Sequence, residues 1–135
     1  MIAKGCLLFT NAFRESRGLP ALQWSSQLAV IALAHSIDMG EGRVPMGHDG
    51  FQERMAQTPF RWRSFAENVA MMSNPHSFSL FHNDVDDIAQ RTVEGWQRSP
   101  GHCRNLLSHS NLCGIGVFKD PYSSTYFFTQ LLVGV

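Results

Sequence analysis

Two histidines and two glutamates sit along this chain where a fold can bring them together. They are His48 after Gly47, Glu67 before Asn68, Glu94 before Gly95-Trp96, and His102 after Ser99-Pro100-Gly101. A carboxylate in contact with an imidazole can hold its ring in one orientation, exchange a proton with it, or share a water. The run from Gly95 to His102 carries the most information. A helical pattern runs into Ser99-Pro100-Gly101, where proline lacks the N–H that continues a helix and biases its predecessor away from helical geometry. Glycine beside it allows a tight type II turn. The pattern therefore expects His102 at a fixed corner just past the end of a helix carrying Glu94, with His48 and Glu67 as partners across a cleft. Taken one at a time, each residue has a plainer reading. A histidine in a turn is usually solvated, Glu67 can cap a turn, and Glu94 can be a solvated helix residue.

The elements that must position these side chains are legible as periodicity and punctuation. Cys6, Phe9 and Phe13 recur at helical spacing and predict a first helix from about residue 3 to 17, stopped by Gly18 and Leu19-Pro20. Leu22 and Trp24 lead into a second helix capped by Ser25 or Ser26, with Leu28, Ile31, Ala32, His35 and Met39 on its buried stripe. His35 on that stripe reads as a core hydrogen-bonder. Residues 43–63 are turn-rich, with a short helix over about 51–56. Ala66 to Met71 reads as extended, and 73–83 as a loop. A long helix spans about 84–98, its core face marked by Val85, Ile88, Ala89, Val93 and Trp96. Strands over about 113–118 and 125–133 close the chain around a turn-forming segment. Helices first and strands mostly last predict an α+β fold with an antiparallel sheet covered by helices. Trp24 and Trp96 read as core, and His76, His82 and His109 as loop residues.

Composition narrows the function classes. The chain has 135 residues, which suits one domain over 1–135 with a real core. Eleven basic residues balance eleven acidic ones without a basic stripe, which argues against nucleic acid as a partner. No apolar run approaches a transmembrane span. The apolar stretch at residues 6–9 is short for a signal peptide and is followed at once by Thr10-Asn11, so it reads as the start of a helix. The cysteines are Cys6, Cys103 and Cys113. Cys103 and Cys113 flank a short loop and are a candidate disulfide, which would favour an oxidising compartment. The alternative is three buried thiols packed as small hydrophobes.

In order and spacing, the motifs together resemble those of the CAP superfamily, also called SCP/TAPS. It comprises cysteine-rich secretory proteins, antigen 5 and pathogenesis-related 1 proteins. Asn11-Ala12-Phe13-Arg14 with Gly18-Leu19-Pro20-Ala21-Leu22-Gln23-Trp24 resembles the family's opening. Gly47-His48 resembles its first histidine motif, and Glu67-Asn68-Val69-Ala70 its glutamate motif. Glu94-Gly95-Trp96, Ser99-Pro100-Gly101-His102 and Arg104-Asn105-Leu106-Leu107 resemble its most diagnostic motifs. Gly114-Ile115-Gly116-Val117 and the strand ending at Gln130 resemble the closing strands.

The resemblance implies a three-layer α-β-α sandwich with a central, mostly antiparallel sheet. It also implies a cleft formed by His48, Glu67, Glu94 and His102. In some members the two histidines hold a divalent ion, often zinc. Here His48 and His102 would be the metal ligands, with Glu67 and Glu94 as cleft acids and Asn68 and Gln130 as supporting polar groups. Two protein ligands make an open, weakly binding, pH-sensitive site. The implied function is a secreted, non-enzymatic binding or interaction module whose partner is a sterol, a fatty acid or another protein. Phe78, Leu80 and Phe81 are candidates to line an apolar groove or face a membrane, though ordinary packing over the sheet is the simpler role. The alternative is a metal-dependent or serine-type hydrolase, for which Ser99, Ser108 and Ser110 lie near His102 in sequence but none sits in a Gly-x-Ser-x-Gly elbow.

Overall fold

The computed structural model describes residues 1–73 and 84–135. The elements are α1 (Ile2–Ser16), β1 (Gln23–Trp24), α2 (Ser26–Gly40), α3 (Phe51–Gln57), β2 (Ser64–Ser73), α4 (Asp84–Gln97), α5 (Pro100–Leu106), β3 (Leu112–Lys119) and β4 (Thr125–Gly134). Ser25 caps α2, its hydroxyl accepting from the Leu28 N–H at 3.2 Å. Gly18 ends the turn after α1 with φ +78°, a conformation that favours glycine. Asp120 organises the β3–β4 hairpin by accepting from the Tyr122 N–H at 3.0 Å and the Ser123 hydroxyl at 3.1 Å. Phe78, Leu80, Phe81, His76 and His82 lie outside the described residues.

The strands run in the order β1-β3-β4-β2. β2 and β3 both pair antiparallel with β4, and only the short β1–β3 pairing is parallel. Strand alternation divides the side chains between two faces. Cys113, Ile115, Phe128 and Leu132 point to one face and pack with Cys6, Phe13, Ile88, Val93, Trp96 and Leu106 of α1, α4 and α5. Leu131 and Val133 point to the other and pack with Leu28 and Ala32 of α2. Helices on both faces of a mostly antiparallel sheet make the α+β, three-layer α-β-α sandwich expected from the sequence. Gly114 and Gly116 let α2 lie against β3. A β-carbon at Gly114 would overlap the backbone of Leu28 and Ala29, and one at Gly116 the backbone of Ala32 and Leu33. Ser36 bridges the same contact, donating to the Gly116 carbonyl at 2.9 Å and pairing with the Thr129 hydroxyl at 2.8 Å.

Two segments differ from the sequence expectation. Gln23-Trp24 forms a strand before α2 instead of leading straight into it, because the backbone groups of Gln23 and Ser25 find partners at Asn111 and Cys113. Ser99-Pro100-Gly101 opens a second helix, α5, where a tight turn was expected. Ser99 stands at the N-cap and Pro100 in the first turn, where the missing N–H costs nothing.

The candidate disulfide is also corrected. All three cysteines are free. Cys113 is fully buried on β3 beside Gln130 and Cys6, whereas Cys103 is half-buried on α5. Burial pushes both the Cys6 and Cys113 thiols up to about 12. These two pack as small hydrophobes.

Candidate functional site

The site is mounted on β2, an edge strand with one free side. Glu67 and Asn68 are adjacent on it, so their side chains point to opposite faces of the sheet. Each anchors one histidine.

Glu67 lies on the α2 face and is buried. One carboxylate oxygen, Oε1, is 2.8 Å from His48 Nδ1 and accepts from an Arg54 amino group at 2.7 Å. The other, Oε2, accepts from Arg54 Nε at 2.6 Å. This is the bidentate fork that suits guanidinium to carboxylate. Arg54 is itself buried on α3, and its remaining donors reach the Asp49 carbonyl at 2.8 Å, the His48 carbonyl at 3.2 Å and His35 Nδ1 at 3.0 Å. Because Nδ1 of His35 accepts, its Nε2 carries the proton and donates to the Gly47 carbonyl at 2.7 Å. The loop bearing His48 is thus held on both sides of the histidine, at Gly47 by His35 and at His48 and Asp49 by Arg54. The His48 side chain remains 51% exposed, so its Nε2 edge faces outward while Nδ1 is committed to Glu67.

Asn68 lies on the opposite face and is fully buried. Its Nδ2 donates to the His102 carbonyl at 3.3 Å and to Gln130 Oε1 at 3.0 Å, and its Oδ1 accepts from Asn105 at 2.9 Å. Gln130 passes the chain of bonds to Thr10 of α1 at 3.0 Å. Asn105 also donates to the Glu67 carbonyl at 3.1 Å. Arg14 secures the far end of α5, donating to the carbonyls of Leu106 at 2.8 Å and Ser108 at 2.9 Å. A cation there also suits the negative end of the helix. His102 is therefore placed by its backbone. Its ring is held below the usual histidine range, first by burial and then by the charge of His48. The two imidazoles are close enough for the charge of His48 to bear on His102.

Glu94 is carried by the helix before the one that holds His102. It lies half-exposed on α4, where Gln90 donates to its carboxylate at 3.3 Å. With α5 inserted after Ser99, the path from Glu94 to His102 is a helix junction rather than a turn. Ser108 and Ser110 pair their hydroxyls at 2.9 Å, and Ser99 stands at the N-cap position of α5, its carbonyl accepting from the Cys103 N–H at 2.7 Å. Among the described residues, no three His, Cys, Asp or Glu side chains converge as a metal-binding group. The donor set that remains is two imidazoles, His48 with a committed Nδ1 and His102 with a ring biased toward the neutral form. That set suits a divalent cation completed by water or an external ligand.

Sequence reasoning missed Arg54 and gave Asn105 no role. Arg54 has no local mark, since its partners lie 5 to 19 residues away. Asn105 had one: in a helix beginning at Pro100 it lies one turn beyond His102.

With the geometry in hand, comparison with known proteins is direct. The CAP model, described as the cysteine-rich secretory protein family, matches residues 7–132. Among curated proteins, an uncharacterized membrane protein of Bacillus subtilis strain 168 is 30% identical over 128 residues, covering 91% of this chain and 33% of its own length. The chain thus spans about a third of that relative. Among solved structures, an extracellular protein containing an SCP domain from Bacillus anthracis has a TM-score of 0.76 at 26% identity, covering 99% of this chain and 40% of that one. A cysteine-rich secretory protein from Staphylococcus aureus has a TM-score of 0.70 at 21% identity, covering 99% and 38%. An outer surface protein from Borrelia burgdorferi has 0.71 at 19%, covering 94% and 89%. The last two share the fold. The match across nearly the whole length shows that the chain belongs to the CAP family.

Proposed function

We propose that this CAP-family domain is an extracytoplasmic binding module whose cleft takes a divalent cation between His48 and His102. The observation that carries the reading is the commitment of His48 Nδ1 to Glu67, itself fixed by the Arg54 fork, which leaves Nε2 facing outward. A carboxylate behind a histidine sets its tautomer and raises its basicity as a ligand. His102 contributes a half-buried ring whose position comes from the Asn68 and Asn105 bonds to α5 and β2. A bound cation would supply an open coordination position and positive charge for an oxygen ligand. The extracytoplasmic setting draws its support from relatives named as extracellular, secretory and outer-surface proteins. Binding is favoured over turnover because the two nearby serines hydrogen-bond to one another rather than to a histidine.

The test is a zinc titration by calorimetry on the wild type and on the His48→Ala/His102→Ala double variant. Saturable heat near one ion per chain, lost in the double variant, is the expected outcome. Glu67→Gln should weaken binding by about 10- to 100-fold, as expected when a ligand loses its orienting carboxylate. A wild type that gives no saturable heat overturns the cation reading. Ester or peptide cleavage that disappears in Glu94→Gln would overturn the non-enzymatic one.

A further inference from the structure

The edge of the sheet opposite the cleft is open for most of its length. β1 pairs only with Leu112 and Cys113 of β3. Ser25 donates to the Cys113 carbonyl at 2.9 Å, which identifies the side toward which Cys113 turns its backbone groups. Strand alternation turns the N–H and C=O groups of Ile115 and Val117 the same way, beyond the last residue of β1. Among the described residues, no strand pairs with them.

A groove of about 400 Å³ runs beside this edge, walled by Ile2 of α1, Val30 and Leu33 of α2, Val117 of β3 and Tyr126 of β4, with Trp24 at one end. Val30 is 70% exposed and Leu33 39% exposed, so the wall offers apolar surface to solvent. Lys119 is its one charged lining residue, close to Tyr126. Lys4 stands over the ring of Trp24 at 4.9 Å. The groove is therefore apolar along its length and cationic toward both ends.

We propose that this edge is a docking site for an extended peptide segment whose apolar residues are flanked by acidic ones. The segment adds to β3 as a further strand beyond β1. Its backbone meets the outward groups of Ile115 and Val117, its apolar side chains enter the groove, and its acidic flanks meet Lys4 and Lys119. An acyl chain would satisfy the apolar wall but leaves the strand's amides unpaired. The edge of a second folded sheet is too broad for an edge recessed between α1 and α2, where Ile115 is only 2% exposed. This site is independent of the His48–His102 cleft, which lies at the other edge.

The experiment is a titration of the isotope-labelled chain, followed by NMR, with a short end-capped peptide of alternating valine and threonine between glutamates. The amide signals of Ile115 and Val117 should shift, and exchange of the Val117 amide should slow by about tenfold or more as it gains a partner. Lys119→Glu should weaken binding by about threefold, the scale of an exposed ion pair. The same peptide N-methylated at alternate amides, which cannot complete the ladder, should give no slowing. Equal binding by the N-methylated peptide overturns the proposal in favour of a groove for any apolar chain. Myristate that displaces the peptide and reproduces its shifts assigns the groove to an acyl ligand. Self-association that protects Val117 without peptide assigns it to a second copy. No shift at millimolar peptide removes the site.

Discussion

At the β2 edge, the outward carbonyls of Glu67 and Val69 accept from Asn105 at 3.1 Å and from the Trp96 indole at 3.0 Å. At the β3 edge, the corresponding groups of Ile115 and Val117 face an apolar groove with lysines near its ends. The first edge is closed by side chains from the α4–α5 segment, and the closure does a second job. Asn105 lies one helical turn from His102, so capping the strand also fixes the helix that carries the histidine. The second edge keeps its backbone groups available and discourages indiscriminate pairing with positive charge, a common protection for exposed strands. One sheet thus has one edge capped by side chains and another whose outward backbone groups pair with no strand among the described residues.

Substitutions can break this contrast, beginning with the closed edge. Trp96 is 2% exposed and supplies both core volume and the bond to Val69. Trp96→Ala should cost about 3–5 kcal/mol, measured by urea unfolding, through cavity and lost hydrogen bond together. Arg54→Met should cost about 3 kcal/mol, because it strands the buried Glu67 carboxylate without its cation. The double variant Arg54→Met/Glu67→Met should recover part of that loss if stranded charge is its cause. Asn105→Ala should cost about 1–2 kcal/mol, since two partially buried acceptors lose their donor. At the open edge, Val30→Thr should change stability by no more than about 0.5 kcal/mol. A loss at Val30 as large as that at Asn105 would mean the groove wall is structural and the contrast between edges is false.

Much of the scaffold was legible before any coordinate. The stripes of α1, α2 and α4 follow helical spacing, and the capping serine, the stop at Gly18 and the hairpin at Asp120 are local signals. α5 was also written locally, as Ser99 at the N-cap and Pro100 in the first turn, but the same residues suit a tight turn. The choice between the two rests on Leu106 entering the core and on the Arg14 bonds at the helix end. β1 escaped because two residues carry no periodicity; its existence depends on Asn111 and Cys113, almost ninety positions later. For the cysteines, spacing suggested Cys103 with Cys113, yet neighbours in sequence diverged once one joined a central strand and the other a helix.

The sequence by itself determined which residues could form the cleft and which patterns would carry them, because side-chain chemistry, helical stripes and caps are properties of short stretches. Tertiary structure alone decided how those residues were divided. Adjacent Glu67 and Asn68 anchor histidines on opposite faces of one strand, and Arg54, unmarked in its own segment, became the clamp on Glu67 and the His48 loop. Glu94, prominent in its motif, stands half-buried on α4 beside Gln90. The physical reason is that burial and hydrogen-bond partnership depend on what packs opposite, and a strand's two faces and its edges acquire those neighbours only when the layers close.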